Sequence, residues 1–249
     1  NPEYAKTDNE MMDYVKNYLN SYEAALKNEV YYTIDKNTGQ TVHYTDLFDL
    51  DSLVKYWIVC ELSMNWDSMK NSTYLYKDIT GKAKMGPVWD YDWAFGNINM
   101  YSATAPFVIT GWHSNCDAFC EQNYQRYQWN RYLIKDPYFT LKAYEEYKRI
   151  RNTFIEDIIK SGGIIDSSEK KYQNAADADD ARWQSTYHLY SGNAIKSDGT
   201  VFKTQSQTFN DAVTTLRQFI KQRVAWFDKQ FSVNSDDTDS SVQNLYKSF

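Results

Sequence analysis

GPVWDYDWAFGN, residues 86–97, places Asp90 and Asp92 among bulky aromatic side chains. In an extended chain successive side chains point to opposite faces, so the two carboxylates are expected on one side and the aromatic rings on the other. Carboxylates beside bulky apolar groups lose solvation unless a cation or hydrogen-bond donors meet them. The stretch therefore predicts a cation-binding strand end, with a solvated turn as the alternative.

A second polar stretch, NWDSMKNSTYLY at residues 65–76, supplies oxygen donors of the kind that magnesium prefers. Asp67 and Asn71 are expected in the loop between a helix and a hairpin, and the hairpin folds back so that Asp90 comes beside them. This order matches the catalytic region of protein kinases. In both, an acid is followed by an Asn and then by a hairpin that ends in Asp, with Phe-Gly close behind. Two spacings differ from the kinase pattern. Asn71 follows Asp67 by four residues instead of five, and Phe-Gly follows Asp90 by five residues instead of directly.

Composition favours a mostly helical globular protein and excludes some partners. The chain has 249 residues with only 9 Gly and 4 Pro, which favours long regular elements. The net charge of −6 offers no basic face for a phosphate backbone, so nucleic-acid binding is not expected. No apolar run is long enough for a membrane span.

Hydrophobic periodicity predicts helices, with two hairpins in the N-terminal half. The predicted helices cover about 7–26, 51–65, 136–159, 166–187 and 205–231, the hairpins 30–44 and 72–92, and an irregular aromatic-rich region 95–129. Residues around Gly192 and Gly199 are predicted as a polar loop. The predicted fold class is mainly α with two small β-hairpins.

The two polar stretches, with the helix that starts at LDSL (residues 50–53), resemble the spore coat protein H (CotH) kinase-like family. The resemblance implies an atypical protein-kinase-like C-terminal lobe that uses Mg²⁺ and ATP to phosphorylate Ser or Thr of a protein substrate. It implies Asp67 as the catalytic-loop acid and Asn71 and Asp90 as metal ligands. Asp92 would be a second metal-site acid. It also implies a bacterial spore coat or a secreted or cell-surface location.

The chain departs from the full kinase pattern upstream of Asp67. No GxGxxG motif occurs, and Lys55 is expected on a solvated helix face instead of pairing with phosphates. Residues 1–231 are therefore expected to form mainly the C-terminal lobe, with the N-terminal lobe largely absent and nucleotide affinity poor. Residues 232–249 are expected to be an acidic linker.

Other functions fit parts of the same sequence. A carbohydrate-binding module could stack sugars on aromatic residues such as Trp112 and Trp129, and a degenerate kinase-like fold could serve as a structural coat component. Glycosidase carboxylates must face each other across a bond, whereas the two acids of the 86–97 stretch are expected to project in parallel. Cys60 is expected in the core, and a disulfide between Cys116 and Cys120 stays open.

Overall fold

The computed structural model of the chain describes residues 9–65, 67–68, 71–96, 107–115, 129–183, 193–195, 201–203 and 208–231. Within these ranges helices dominate. The longer helices are α1 (Asn9–Lys27), α3 (Leu50–Ser63), α5 (Pro137–Ile150), α7 (Ile164–Trp183) and α8 (Phe209–Phe231). Shorter helices are α2 (Tyr44–Leu47), α4 (Asn130–Leu133) and α6 (Glu156–Ile159), with a π-helical turn at Arg151–Ile155 and a 3-10 turn at His113–Asn115.

In the described ranges the strands are short and form three small sheets. Antiparallel pairs join β1 (Tyr32–Ile34) to β2 (Thr41–His43) and β3 (Leu75–Tyr76) to β4 (Lys84–Met85). In the third sheet, β5 (Phe107–Val108) runs parallel to β6 (Asn193–Ile195), which pairs antiparallel with β7 (Val201–Lys203). The two expected hairpins are thus confirmed, and the third sheet lies partly in the region predicted as a polar loop, so that prediction was wrong.

An aromatic core holds α1, α3, α5 and α8 together. Tyr22 of α1 packs its ring 4.0 Å from that of Phe48, and Trp57 of α3 stacks on Trp112 at 5.5 Å between ring centroids. Tyr147 of α5 stacks on Phe231 of α8 at 4.9 Å. Large rings bury much apolar area for each residue ordered, which suits a chain with 17% aromatic residues.

Helix α3 is the element that positions the 86–97 stretch. Its start is capped by Asp49, whose carboxylate accepts a hydrogen bond from the Ser52 amide. The amide of Met85, at the end of β4, donates to the Ser52 hydroxyl at 2.6 Å. The amide of Phe95 donates to the Ser63 carbonyl at 2.6 Å. The intervening segment therefore runs along α3 from its first turn to its last, about 16 Å.

Several boundaries differ from the predicted ones. Helix α7 begins at Ile164, two residues ahead of the predicted start at 166, and the Asp166 carboxylate accepts from the Gly162 amide at 2.7 Å. The second hairpin ends at Met85, so residues 86–96 do not continue a strand. Cys60 is fully buried, as expected. The predictions for Cys116, Cys120 and the 232–249 tail lie outside the described residues.

Candidate functional site

The loop after α3 brings Asp67 and Asn71 into direct contact. The Asn71 amide nitrogen Nδ2 donates to Asp67 Oδ1 at 3.3 Å, and the Asn71 backbone amide donates to the Asp67 carbonyl at 3.0 Å. With Nδ2 turned towards the acid, the carbonyl oxygen of the Asn71 side chain is the atom suited to a cation. Both residues lie in the loop after α3, as expected, and the hydrogen bonds hold them together.

Asp90 meets the same loop. Its Oδ2 accepts a hydrogen bond from the Ser72 hydroxyl at 3.0 Å, and its backbone carbonyl accepts from Asn65 Nδ2 at 3.4 Å. Asn65 also reaches Asp67, whose amide donates to Asn65 Oδ1 at 3.2 Å. Five residues thus form one hydrogen-bonded cluster, which we call the acid loop cluster: Asn65, Asp67, Asn71, Ser72 and Asp90.

Asp92 lies on the other side of Tyr91 and is exposed. Its Oδ1 accepts from the Trp93 amide at 3.0 Å, the geometry of a local turn. The structure shows no hydrogen bond between Asp92 and the acid loop cluster. Because Asp90 has a φ of 63°, the backbone turns there, and the expected parallel projection from a strand face does not apply.

Left-handed backbone is concentrated around the cluster. Among the described residues, five other than glycine have positive φ, and four of them lie here: Met64 (48°), Ser72 (46°), Asp90 (63°) and Phe95 (54°). Such conformations cost roughly 1 to 3 kcal/mol each and persist only where surrounding contacts fix them. The strain identifies this region as one that the fold holds in a specific geometry.

Tyr91 anchors the segment between Gly86 and Phe95 against α3. Its hydroxyl lies 3.9 Å from the Cys60 sulfur, beneath the acid loop cluster. Burial raises the pKa of the Cys60 thiol to about 12 and holds the pKa of the Tyr91 phenol well above its usual value. Both groups are therefore neutral at physiological pH, so they act as packing and hydrogen-bonding anchors and not as a nucleophile.

The oxygen donors of the acid loop cluster fit a magnesium ion that is bound together with nucleotide phosphates. In the described part of the chain, no three His, Cys, Asp or Glu side chains converge as a metal-binding group by themselves. Magnesium, however, is commonly held by one or two carboxylates, with substrate phosphates and waters completing the octahedron. Asp67, Asn71 and Asp90 offer hard oxygen donors of this type, which suits a cation delivered with phosphates.

Two aromatic residues proposed for sugar stacking are not available for it. Trp112 is 5% exposed, with its ring against Trp57 and Trp226. Trp129 packs its ring 4.8 Å from that of Tyr22, and its indole nitrogen donates to Glu23. Lys55 pairs with Asp51 one helical turn away and is half exposed, as expected for a solvated face.

A comparison with known protein families places the chain in one family. A model of the CotH kinase protein family matches residues 1–227. The chain belongs to the CotH kinase family. No curated protein and no solved structure matches the chain. The CotH match covers the helices and hairpins that hold the cluster, and the CotH name associates the family with the spore coat.

Sequence reasoning missed Asn65 and Ser72 of the acid loop cluster. Asparagine often bonds the backbone two residues further along, so the Asn65 contact to the Asp67 amide could have been read from the NWD spacing. The contact of Asn65 with Asp90, 25 residues away, depends on the folded hairpin and has no local signal.

Proposed function

We propose that this CotH-family chain carries the metal-binding and catalytic residues of an atypical protein kinase that transfers the γ-phosphate of ATP to Ser or Thr. Asp67 would orient the substrate hydroxyl, and Asn71 and Asp90 would hold Mg²⁺, with Asp92 as a nearby second acid. The observation that carries the proposal is the meeting of the 65–72 loop with Asp90 in one hydrogen-bonded cluster.

The residues of the cluster divide the work of phosphoryl transfer. Bound Mg²⁺ would supply charge neutralisation for the phosphates. Asn71 fixes the Asp67 carboxylate by hydrogen bonding to one of its oxygens, and the carboxylate so oriented would accept the proton of a substrate hydroxyl. The Ser72 hydroxyl holds one oxygen of Asp90 in the same way, so the carboxylate keeps one orientation before a ligand arrives.

Location and partners follow from the same proposal. The substrate would be a coat or surface protein, at the spore coat or as a secreted or cell-surface enzyme of a bacterium. None of the described helices is long and apolar enough to cross a membrane. The carbohydrate-binding alternative loses Trp112 and Trp129 as stacking platforms, because both rings pack into the protein. We also propose that residues 1–231 act as the C-terminal lobe and 232–249 as a linker.

Alanine variants of the two acids test the proposal. Purified full-length protein is incubated with labelled ATP, Mg²⁺ and a Ser/Thr-rich acceptor protein, and label transfer is measured. Asp67→Ala and Asp90→Ala should each lower the rate roughly 100- to 1,000-fold, because each removes a group that acts in the transition state.

Asp51→Ala is the matched control, since Asp51 is an exposed acid on α3 that forms a salt bridge with Lys55. It should leave the rate within about a factor of two. Wild-type rates in Asp67→Ala and Asp90→Ala, or a wild-type protein that transfers no phosphate, would refute the proposed activity.

A further inference from the structure

The side chain of Asn65 joins the two acids of the cluster through their backbones. Asn65 is 1% exposed and lies just beyond the C-terminal end of α3. Its Oδ1 accepts from the Asp67 amide at 3.2 Å, and its Nδ2 donates to the Asp90 carbonyl at 3.4 Å. Both ends of one buried amide are therefore used, and each end serves a different acid.

The spacing of Asp67 and Asp90 depends on contacts of this kind. The two residues are separated along the chain by the β3–β4 hairpin, so the covalent path between them is long and indirect. Asp90 has a left-handed backbone, which the neighbouring contacts must hold in place. The Ser72 hydroxyl fixes the Asp90 carboxylate, whereas Asn65 fixes its carbonyl and so the backbone that carries it.

An amide suits this place better than other polar side chains. It is neutral, so it adds no charge that would compete for a cation, and it has one donor and one acceptor end. Loss of the side chain would leave the Asp67 amide and the Asp90 carbonyl without this partner next to a buried position. Contacts behind metal ligands commonly change metal affinity or activity by about 10- to 100-fold.

We propose that Asn65 is a positioning residue, whose amide holds the backbones of Asp67 and Asp90 at the spacing at which their side chains share a divalent cation. The inference rests on the proposed function, because it takes the acid loop cluster to be the metal site. Asn65 itself touches neither the cation nor the substrate.

Two variants separate the contacts of Asn65. Asn65→Ser keeps a short hydroxyl able to accept from the amide two residues on, but is too short to reach Asp90. Asn65→Ala removes both contacts. Ser21→Ala is the control, because the Ser21 hydroxyl is fully buried and accepts from the Lys36 amide at 2.9 Å in a part of the fold remote in sequence from the cluster.

Metal binding and turnover are measured on the same full-length proteins. Mn²⁺ binding is followed by the loss of its free-ion resonance signal, and phosphate transfer gives kcat and KM for the acceptor protein. Asn65→Ala should weaken Mn²⁺ binding about 10- to 100-fold and lower kcat in the same range, with KM for the acceptor unchanged. Asn65→Ser should fall between Asn65→Ala and wild type, and Ser21→Ala should change neither quantity.

The outcomes separate this inference from the proposed function. If Asn65→Ser and Asn65→Ala bind Mn²⁺ like Ser21→Ala, the positioning role is wrong while wild-type phosphate transfer still supports the kinase. If both Asn65 variants weaken Mn²⁺ binding but the wild type transfers no phosphate, the positioning role stands and the kinase proposal fails. A wild-type protein that binds no Mn²⁺ overturns the positioning role. Should Asn65→Ala fail to fold, Asn65→Ser decides.

Discussion

His43 caps a short helix with an uncharged ring nitrogen. The Thr45 amide donates to His43 Nδ1 at 3.3 Å at the start of α2, and the His43 amide donates to Asp46 Oδ2 at 2.8 Å. Burial lowers the pKa of His43, while the charges of Asp136 and Asp46 oppose that shift. A protonated ring would lose the acceptor that the cap uses.

Stability should therefore fall in acid at this residue. Since the folded-state pKa of His43 lies below its ordinary value of 6.5, the contribution is present above pH 6.5 and is lost as the pH falls through the folded pKa. His43→Asn keeps a capping acceptor without the titration. Urea unfolding at pH 7.5 and 5.5 should show a larger loss for wild type than for His43→Asn, by less than about 1 kcal/mol because solvent screens the ring. Equal losses in both proteins would exclude this role.

At the residue scale, the sequence predicted the acids of the acid loop cluster but not Asn65 and Ser72, which hold them in place. The choice of Asp67, Asn71 and Asp90 came from chemical type and order along the chain, and the structure places them in one cluster. Their catalytic and metal-binding roles remain predictions. The contact of Asn65 with the Asp67 amide has a local sequence signal, whereas its contact with Asp90 depends on how the hairpin folds back.

At the scale of elements, Gly86 decides how closely β4 approaches β3. The Gly86 amide donates to the Tyr74 carbonyl at 2.6 Å, and a Cβ on Gly86 would lie 2.8 Å from both the carbonyl oxygen and the Cβ of Tyr74. Contacts this short with backbone require the strand to move. The chain leading to Asp90 starts from this point, so the hairpin sets where the acid lies.

Gly86→Ala should thus destabilise the protein by about 1 to 3 kcal/mol in urea unfolding, as overpacking does elsewhere. Gly81→Ala, in the turn of the same hairpin, is the matched control, because a Cβ there would meet only Asp78 Cβ at an ordinary 3.7 Å. If Gly86→Ala costs no more than Gly81→Ala, the close approach does not limit the hairpin.

Elements with a strong local pattern were predictable, and those made by distant pairing were not. Long amphipathic stretches gave α1, α3 and α8 within a few residues, because side-chain periodicity is local. The single helix predicted at 136–159 is α5, the π-helical turn and α6 in succession. The strands of the third sheet are two or three residues long, and β5 pairs with β6 across a long separation. No periodicity can develop over so short a strand, so the region was predicted as a loop.

For the whole molecule, a buried ion pair links α8 to the end of α3. Glu61 and Arg223 are both 0% exposed, with Arg223 Nη2 3.1 Å from Glu61 Oε2. Arg223 also donates to the carbonyls of Glu61, Ile109 and Gly111, and the Glu61 carboxylate accepts from two backbone amides of the 3-10 turn. The sequence carries no local signal for this pair, because only tertiary packing shows that these two charges are enclosed.

The pair joins three regions that are far apart along the chain: α3, the 107–115 segment and α8. Burial raises the pKa of the Glu61 carboxyl, while Arg223 and the hydrogen bonds to the carboxylate oppose that rise. Arg223→Met removes the main opposing charge and leaves a buried carboxylate without its cation. The expected cost is about 3 to 5 kcal/mol at pH 7.

The pH dependence gives this prediction its sign. In Arg223→Met the folded-state pKa of Glu61 should rise further above its ordinary value of 4.5, so stability is greatest in acid and is lost as the pH increases. The deficit relative to wild type should therefore be smaller at pH 5 than at pH 8 in urea unfolding. Arg217→Met, on the same helix but paired with the part-exposed Asp166 and Glu169, should cost only about 0 to 1 kcal/mol. A similar cost for both substitutions would show that the buried pair does not hold the three regions together.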